Sequence, residues 1–302
     1  MASMAGQYEA VKLLPSRPKI DVDPRTELGD TSLFVACVNC HVRVAELLLK
    51  TPVDAKSSRS DGFTALHVAS SAGDVKMVNL LLSNISKIDV NARNEGRETA
   101  LFAACRKGRA AIVELLLAAG IDTNVRNLEG RTVLHEAVMF RHAKVAELLL
   151  FKSRRGGGLD VNTLDKECRT ALFYAVVNGD DEIVERFLEG EGIDVSIRCE
   201  EDGYPVLYTA VLCRHPMVLK QLLSKGGADP SVRGRKNGMT ALHIAATLGL
   251  EEEVECLLSA GKIDVGVQNG GGFTAHQLAI AAGFMRIAAM IEEALHRDRG
   301  EK

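Results

Sequence analysis

Gly62-Phe-Thr-Ala-Leu-His-Val-Ala69, Gly130-Arg-Thr-Val-Leu-His-Glu-Ala137 and Gly238-Met-Thr-Ala-Leu-His-Ile-Ala245 are three copies of one phrase. Weaker copies are Gly29-Asp-Thr-Ser-Leu-Phe-Val-Ala36, Thr99-Ala-Leu-Phe-Ala-Ala104, Thr170-Ala-Leu-Phe-Tyr-Ala175, Gly203-Tyr-Pro-Val-Leu-Tyr-Thr-Ala210 and Thr274-Ala-His-Gln-Leu-Ala279. With Thr as the marker, and Pro205 in its place once, positions 31, 64, 99, 132, 170, 205, 240 and 274 step by 33, 35, 33, 38, 35, 35 and 34. Self-similarity at such a period marks a stack of small modules, each burying its apolar face only against its neighbours.

Each phrase is followed by a second apolar helical segment, such as Val78-Asn-Leu-Leu-Leu82 or Val113-Glu-Leu-Leu-Leu117, so each module is two short helices. A polar, extended connector comes next: Ile88-Asp-Val-Asn91, Ile121-Asp-Thr-Asn124, Leu159-Asp-Val-Asn162, Ile193-Asp-Val-Ser196, Ala228-Asp-Pro-Ser231 and Ile263-Asp-Val-Gly266. Thr opens the first helix as a cap, and Ala five residues after the marker lets neighbouring helices approach. Gly73, Gly108, Gly179, Gly249 and Gly283 fall nine residues after their markers, where the chain turns between helices. Cys40, Arg141 and Arg214 take that place in three copies, and those turns are expected to be less regular.

Hydrophobic residues make up 46% of the 302-residue chain but aromatic ones only 4%, with no Trp. Its core must be Ala, Leu, Val and Ile, which suits thin helix-on-helix layers. A net charge of −3 gives no global pull toward nucleic acid or an anionic membrane. No run reaches the roughly 18 apolar residues of a spanning helix, and no secretory signal opens the chain. The seven cysteines, an odd number set singly among small apolar residues, read as reduced thiols of an intracellular protein, cytoplasmic or nuclear.

The phrase resembles the ankyrin repeat pattern Thr-Pro-Leu-His-x-Ala, with Pro mostly replaced here by Ala, Val or Ser and with His276 in place of Leu in the last copy. The resemblance implies an all-α solenoid of stacked helix-turn-helix units with hairpin-like connectors: residues 1–24 a partial N-terminal repeat or cap, 25–295 about eight repeats, and 296–302 a polar tail. Tyr8 to Leu14 and Ile20 to Asp23 read as the second half of a repeat.

Motifs that would carry chemistry fail on register. Cys37-Val-Asn-Cys40-His41 matches a haem-attachment pattern, yet Cys37 aligns with a helix residue and Cys40 with the turn. The three His residues, His67, His135 and His243, fall at one point of separate repeats, where the family uses them for structural hydrogen bonds. Gly156 to Gly158 and Gly270 to Gly272 lack the Gly-Lys-Ser/Thr of a phosphate loop. No catalytic residue, metal or cofactor is expected. The insertion Phe151 to Gly158 reads as a solvated loop.

By resemblance, partners lie on the concave side against connector tips and first helices, at the position before the marker and those seven and eight after it. In this chain these are Phe63; Arg106 and Lys107; Arg131, Met139 and Phe140; Arg169; Tyr204 and Leu212; Met239, Thr247 and Leu248; and Phe273. Aromatic, Met and Arg side chains are enriched at interfaces, so the expectation is a monomeric protein-binding scaffold or adaptor, centred on the third to sixth repeats, taking an acidic and apolar segment. The competing bland reading packs Met139, Phe140, Leu212 and Leu248 between repeats. The alternative function is the regulatory or substrate-recognition part of a larger enzyme, of ubiquitin ligase or kinase type. The family's connectors are also substrates of an asparaginyl hydroxylase that favours Leu eight and Asp two residues before Asn. Leu116, Asp122 and Asn124 match, against the simpler role of Asn124 in holding its turn.

Overall fold

The eight Thr/Pro markers stand where helices begin. A computed structural model describes residues 24–154, 158–190, 192–198, 203–261 and 263–298. Tyr8 to Asp23 therefore lie outside the described residues. The chain divides into two units, residues 1–160 and 161–302. The first holds four helix pairs: α1 Ser32–Val38 with α2 Val42–Leu49, α3 Ala65–Ala72 with α4 Val75–Ser83, α5 Ala100–Arg106 with α6 Ala110–Ala118, and α7 Val133–Met139 with α8 Ala143–Arg154. The second holds four more: α9 Ala171–Asn178 with α10 Asp181–Leu188, α11 Val206–Leu212 with α12 Pro216–Ser224, α13 Ala241–Leu248 with α14 Glu251–Ser259, and α15 Ala275–Ala281 with α16 Met285–Asp298. The fold is all-α. Extended structure among the described residues is limited to isolated bridges across connectors, such as Ser58 with Thr64 and Gln268 with Thr274.

Within each unit first helices pack on first helices and second on second, in chain order. The Ala five residues after each marker (Ala36, Ala69, Ala104, Ala137, Ala175, Ala210, Ala245 and Ala279) has 0% exposure in all eight repeats. A helix layer closes that tightly only around a methyl group, so a larger side chain there displaces a neighbouring helix. Leu and Val of the second helices, such as Val78, Leu81, Val113 and Leu116, complete the core.

The marker caps its helix as the sequence suggests: Thr31 and Thr170 accept from the backbone N–H groups of Phe34 and Phe173 at 3.1 and 3.2 Å. Where the third residue onward is His, the ring closes a capping box. Thr64 N–H donates to His67 Nδ1 at 3.2 Å, and Thr240 N–H to His243 Nδ1 at 3.2 Å. Gln277 replaces the ring in the last repeat, its Oε1 accepting from Thr274 N–H at 3.0 Å.

The turns at Cys40, Arg141 and Arg214 are not less regular, contrary to the sequence expectation. Their φ angles of 57°, 58° and 58° lie in the left-handed region, beside 65° at Gly108 and Gly179. A second left-handed position precedes each marker by two residues; glycine fills it except at Arg97 and Cys168. A side chain in this region costs about 1–2 kcal/mol. The stack dictates the conformation, and five residues tolerate the strain. A second correction concerns the insertion: Phe151 to Arg154 are the last turn of α8 rather than loop, Lys152 and Arg154 favouring that C-terminus through the helix dipole. Arg155 to Gly157 lie outside the described residues. At the other end α16 continues through Asp298, into the segment read as a tail.

Candidate functional site

The candidate surface read from the sequence is bounded by hairpin tips and by the last turns of the first helices, and the bonds between repeats fix where both stand. Nδ1 of His67 and His243 accepts from the marker N–H, so Nε2 carries the proton. It donates to the carbonyl just before the next marker, Glu98 O at 3.0 Å and Phe273 O at 3.1 Å. Tyr208 does the same work in its repeat, its hydroxyl donating to Met239 O at 3.1 Å and to Val232 O. Burial lowers the pKa of both imidazoles and pushes the Tyr208 phenol upward, so all three stay neutral. A return tie comes from ten residues after the marker: His142 Nε2 donates to Arg106 O at 3.0 Å, His215 Nε2 to Val177 O at 3.2 Å.

A third ladder joins the connectors. Asp122 and Asp194 N–H donate to Asn91 and Asn162 Oδ1 at 2.9 and 3.0 Å. Asn124 is exposed; its Oδ1 accepts from Asp160 N–H at 3.3 Å and its amide donates to Gly158 O.

In the first unit, Lys107 is exposed and Phe140 half exposed at the ends of α5 and α7. Met139, Phe63 and Arg131 are partly covered, Phe63 by an edge-to-face contact with His67 at 5.5 Å. Arg106 is the site residue whose surroundings were not legible. Its guanidinium donates to Glu98 Oε1 and Oε2 at 2.5 and 3.1 Å and to Glu136 Oε2 at 2.8 Å. Glu136 is 2% exposed, so Arg106 is first the ion-pair partner of a buried carboxylate.

In the second unit Leu212, Leu248 and Phe273 are half exposed and Thr247 is exposed; with Phe140, Leu212 and Leu248 thus face solvent instead of packing between repeats. Arg169 pairs with Glu167 at 2.5 Å and lies over the Phe173 ring at 5.5 Å. Tyr204 stacks on Tyr208 at 4.6 Å and donates to Asn237 Oδ1 at 2.9 Å, and Met239 is partly covered. Two residues missing from the sequence reading share the register seven after the marker and are exposed, Val38 and Val177; the register alone would have found them. Cys37 is buried in α1 with its thiol pKa pushed far up by burial, and Cys40 is at the turn.

Family models described as ankyrin repeats match residues 1–94, 85–165, 155–234 and 237–270. The chain belongs to the ankyrin repeat family. Its fold is similar to the ankyrin repeat domain of Bcl-3, a member of the IkappaB protein family, with a TM-score of 0.67 and 27% identity over 75% of this chain and 100% of that one. Among curated relatives, the nuclear factor NF-kappa-B p105 subunit of Gallus gallus is 31% identical over 162 residues, 52% of this chain and 16% of that protein. The E3 ubiquitin-protein ligase XBAT33 of Arabidopsis thaliana is 40% identical over 109 residues, 35% of this chain and 21% of that protein. The chain thus spans only 16% and 21% of these relatives' length. Ankyrin repeats serve generally as protein-interaction modules. Among the described residues no helix is long and apolar enough to cross a membrane.

Proposed function

We propose that this ankyrin repeat chain is a scaffold or adaptor that holds a partner protein on the faces made by its hairpin tips and first helices, at the third and fourth repeats in the first unit and the fifth and sixth in the second. The observation that carries the reading is that Lys107 and Phe140 in the first unit, and Leu212 in the second, stand exposed at first-helix ends, where almost every other apolar residue of those helices is buried. An apolar and cationic surface suits a segment with apolar and acidic residues. Arg131, Arg169, Tyr204, Met239, Thr247, Leu248, Phe63 and Phe273 border the same face in their respective units. In affinity capture, Lys107→Glu should slow association and weaken its salt dependence, while Phe140→Ala should mainly raise the off-rate. Capture unchanged by both, but lost on removing residues 151–158, would place the partner elsewhere.

A second reading is favoured by the small share of the relatives that the repeats occupy. In a longer protein such as a ligase or kinase, the same face would present substrate to a catalytic domain. The capture experiment serves both readings, and the size of the endogenous protein on a denaturing gel separates them.

A further inference from the structure

An asparagine followed by glycine is a chemically weak link of a peptide chain, because no side chain shields the glycine nitrogen from the asparagine amide carbon. This chain holds three such pairs, all in the second unit: Asn178-Gly179, Asn237-Gly238 and Asn269-Gly270. Two of the three nitrogens are guarded. Asn178 ends α9, and Gly179 N–H donates back into that helix, to Val176 O at 3.1 Å. Gly270 N–H donates to Asn237 O, in the preceding hairpin, at 2.7 Å, so that opening it breaks a tie between repeats.

Asn237 is exposed, in the hairpin between the sixth and seventh repeats. Its Oδ1 accepts from Met239 N–H at 3.1 Å and from the Tyr204 phenol at 2.9 Å. The first bond folds the amide back along the chain over the Gly238 peptide, and the second adds a donor from the preceding hairpin. Two donors on one carbonyl oxygen stabilise the negative charge it takes up when its carbon is attacked. The Arg233 guanidinium stands beside the nucleophile: its Nε donates to Gly238 O at 3.1 Å, and a β-carbon on Gly238 would lie 3.3 Å from its Nη2. A fixed positive charge there favours loss of the amide proton. Gly238 N–H itself donates to Gly234 O at 3.0 Å within the same hairpin, so the bond that must open is local to the turn.

We propose that Asn237-Gly238 is a self-modifying site, at which the folded hairpin converts Asn237 to an aspartyl or isoaspartyl residue without an enzyme. Gly238 N gives its proton to water and bonds to Asn237 Cγ; the Cγ–N bond of the side-chain amide breaks, ammonia leaves with a proton returned by water, and a succinimide ring remains. One water then opens the ring. Opening at Cγ gives aspartate; opening at the backbone carbonyl gives isoaspartate, which lengthens the main chain by one carbon and displaces the acceptor of Gly270 N–H. Either product places a new negative charge beside Arg233 and Tyr204. The chemistry does not depend on the interaction reading above.

The full chain is incubated at neutral pH and physiological temperature, folded and in urea, and each site is followed by peptide mass spectrometry through the succinimide and the two acid products. In the folded chain Asn237 should convert at least about threefold faster than Asn178 or Asn269, and Tyr204→Phe and Arg233→Gln should each slow it by a similar factor. Conversion at Asn178 in these variants should stay as in the wild type, and an unaltered circular dichroism spectrum confirms their fold. In urea the three sites should converge, and the two substitutions should lose their effect. If Asn237 is no faster than the other two in the folded chain, or if both substitutions leave its rate unchanged, the proposal is wrong. Persistence of the same order of rates in urea would assign it to local sequence and overturn the role of the folded hairpin.

Discussion

His67 and His243 each sit between two backbone groups that need opposite things from one ring, an acceptor for the marker N–H and a donor for the next repeat's carbonyl. Only the neutral imidazole supplies both. Burial holds their pKa below the ordinary 6.5. As pH falls through that value the unfolded chain takes up protons that the folded one refuses, and stability drops; above it the contribution is complete. Wild-type Tm should therefore fall between pH 7.5 and 5.5 by more than that of a His67→Gln, His243→Gln variant, in which Gln caps the marker as Gln277 does in the last repeat. Arg106 gives a second residue-scale expectation. Arg106→Ala leaves Glu136 buried without its counter-ion and should cost about 3 kcal/mol in urea unfolding; adding Glu136→Gln should recover part of it. This qualifies Arg106 as a binding probe, because its reversal weakens the fold as well as the face. Asn124 carries a third. Its exposure suits hydroxylation, while Leu116, which the hydroxylase pattern also requires, has 0% exposure, so modification demands that α6 open locally. Mass spectrometry of protein from its own cells should find a single-oxygen increment on Asn124 and none on Asn91 or Asn162; an unmodified Asn124 where the hydroxylase is active removes the idea.

At the scale of the element, the short helices owe their boundaries to caps and turns more than to propensity, since at seven to nine residues most would be marginal alone. The left-handed turn residues test this. Replacing Arg141 or Arg214 with Gly relieves about 1–2 kcal/mol of strain and returns about 0.5–1 kcal/mol through the freer unfolded chain, so each should stabilise by roughly 0.5 kcal/mol in thermal or urea melts. The helix pairs, the Thr caps, the buried Ala and the structural His were all legible, because each depends on residue type at a fixed offset. The conformation at Cys40 was not, because there the neighbouring repeats overrule the residue's own preference. The last turn of α8 was hidden by the triglycine beyond it, and the environment of Arg106 by its dependence on Glu98 and Glu136, 8 and 30 residues away. Pairings of that kind follow no period, and the candidate face was therefore readable as a register but not as a charge distribution.

For the whole molecule, energy is shared only between adjacent modules. Ala245→Phe should force α13 away from α11 and α15, costing on the order of 1–3 kcal/mol. Hydrogen exchange should accelerate across residues 203–298 while protection in residues 24–125 stays as in the wild type; uniform acceleration would mean a single cooperative block. The bonds at repeat boundaries have a genealogical consequence. Each is a lock with its donor in one repeat and its acceptor in the neighbouring one: His67, Tyr208 and His243 look forward from the earlier repeat, and at other boundaries His142 and His215 look back from the later one. A recombination event whose two breakpoints fall at the same offset from their markers inserts or deletes a whole repeat and leaves every lock with both halves. Any other spacing orphans a buried carbonyl or ring nitrogen. Copy number in such a gene can drift in steps of one repeat, and is barred from drifting in smaller ones.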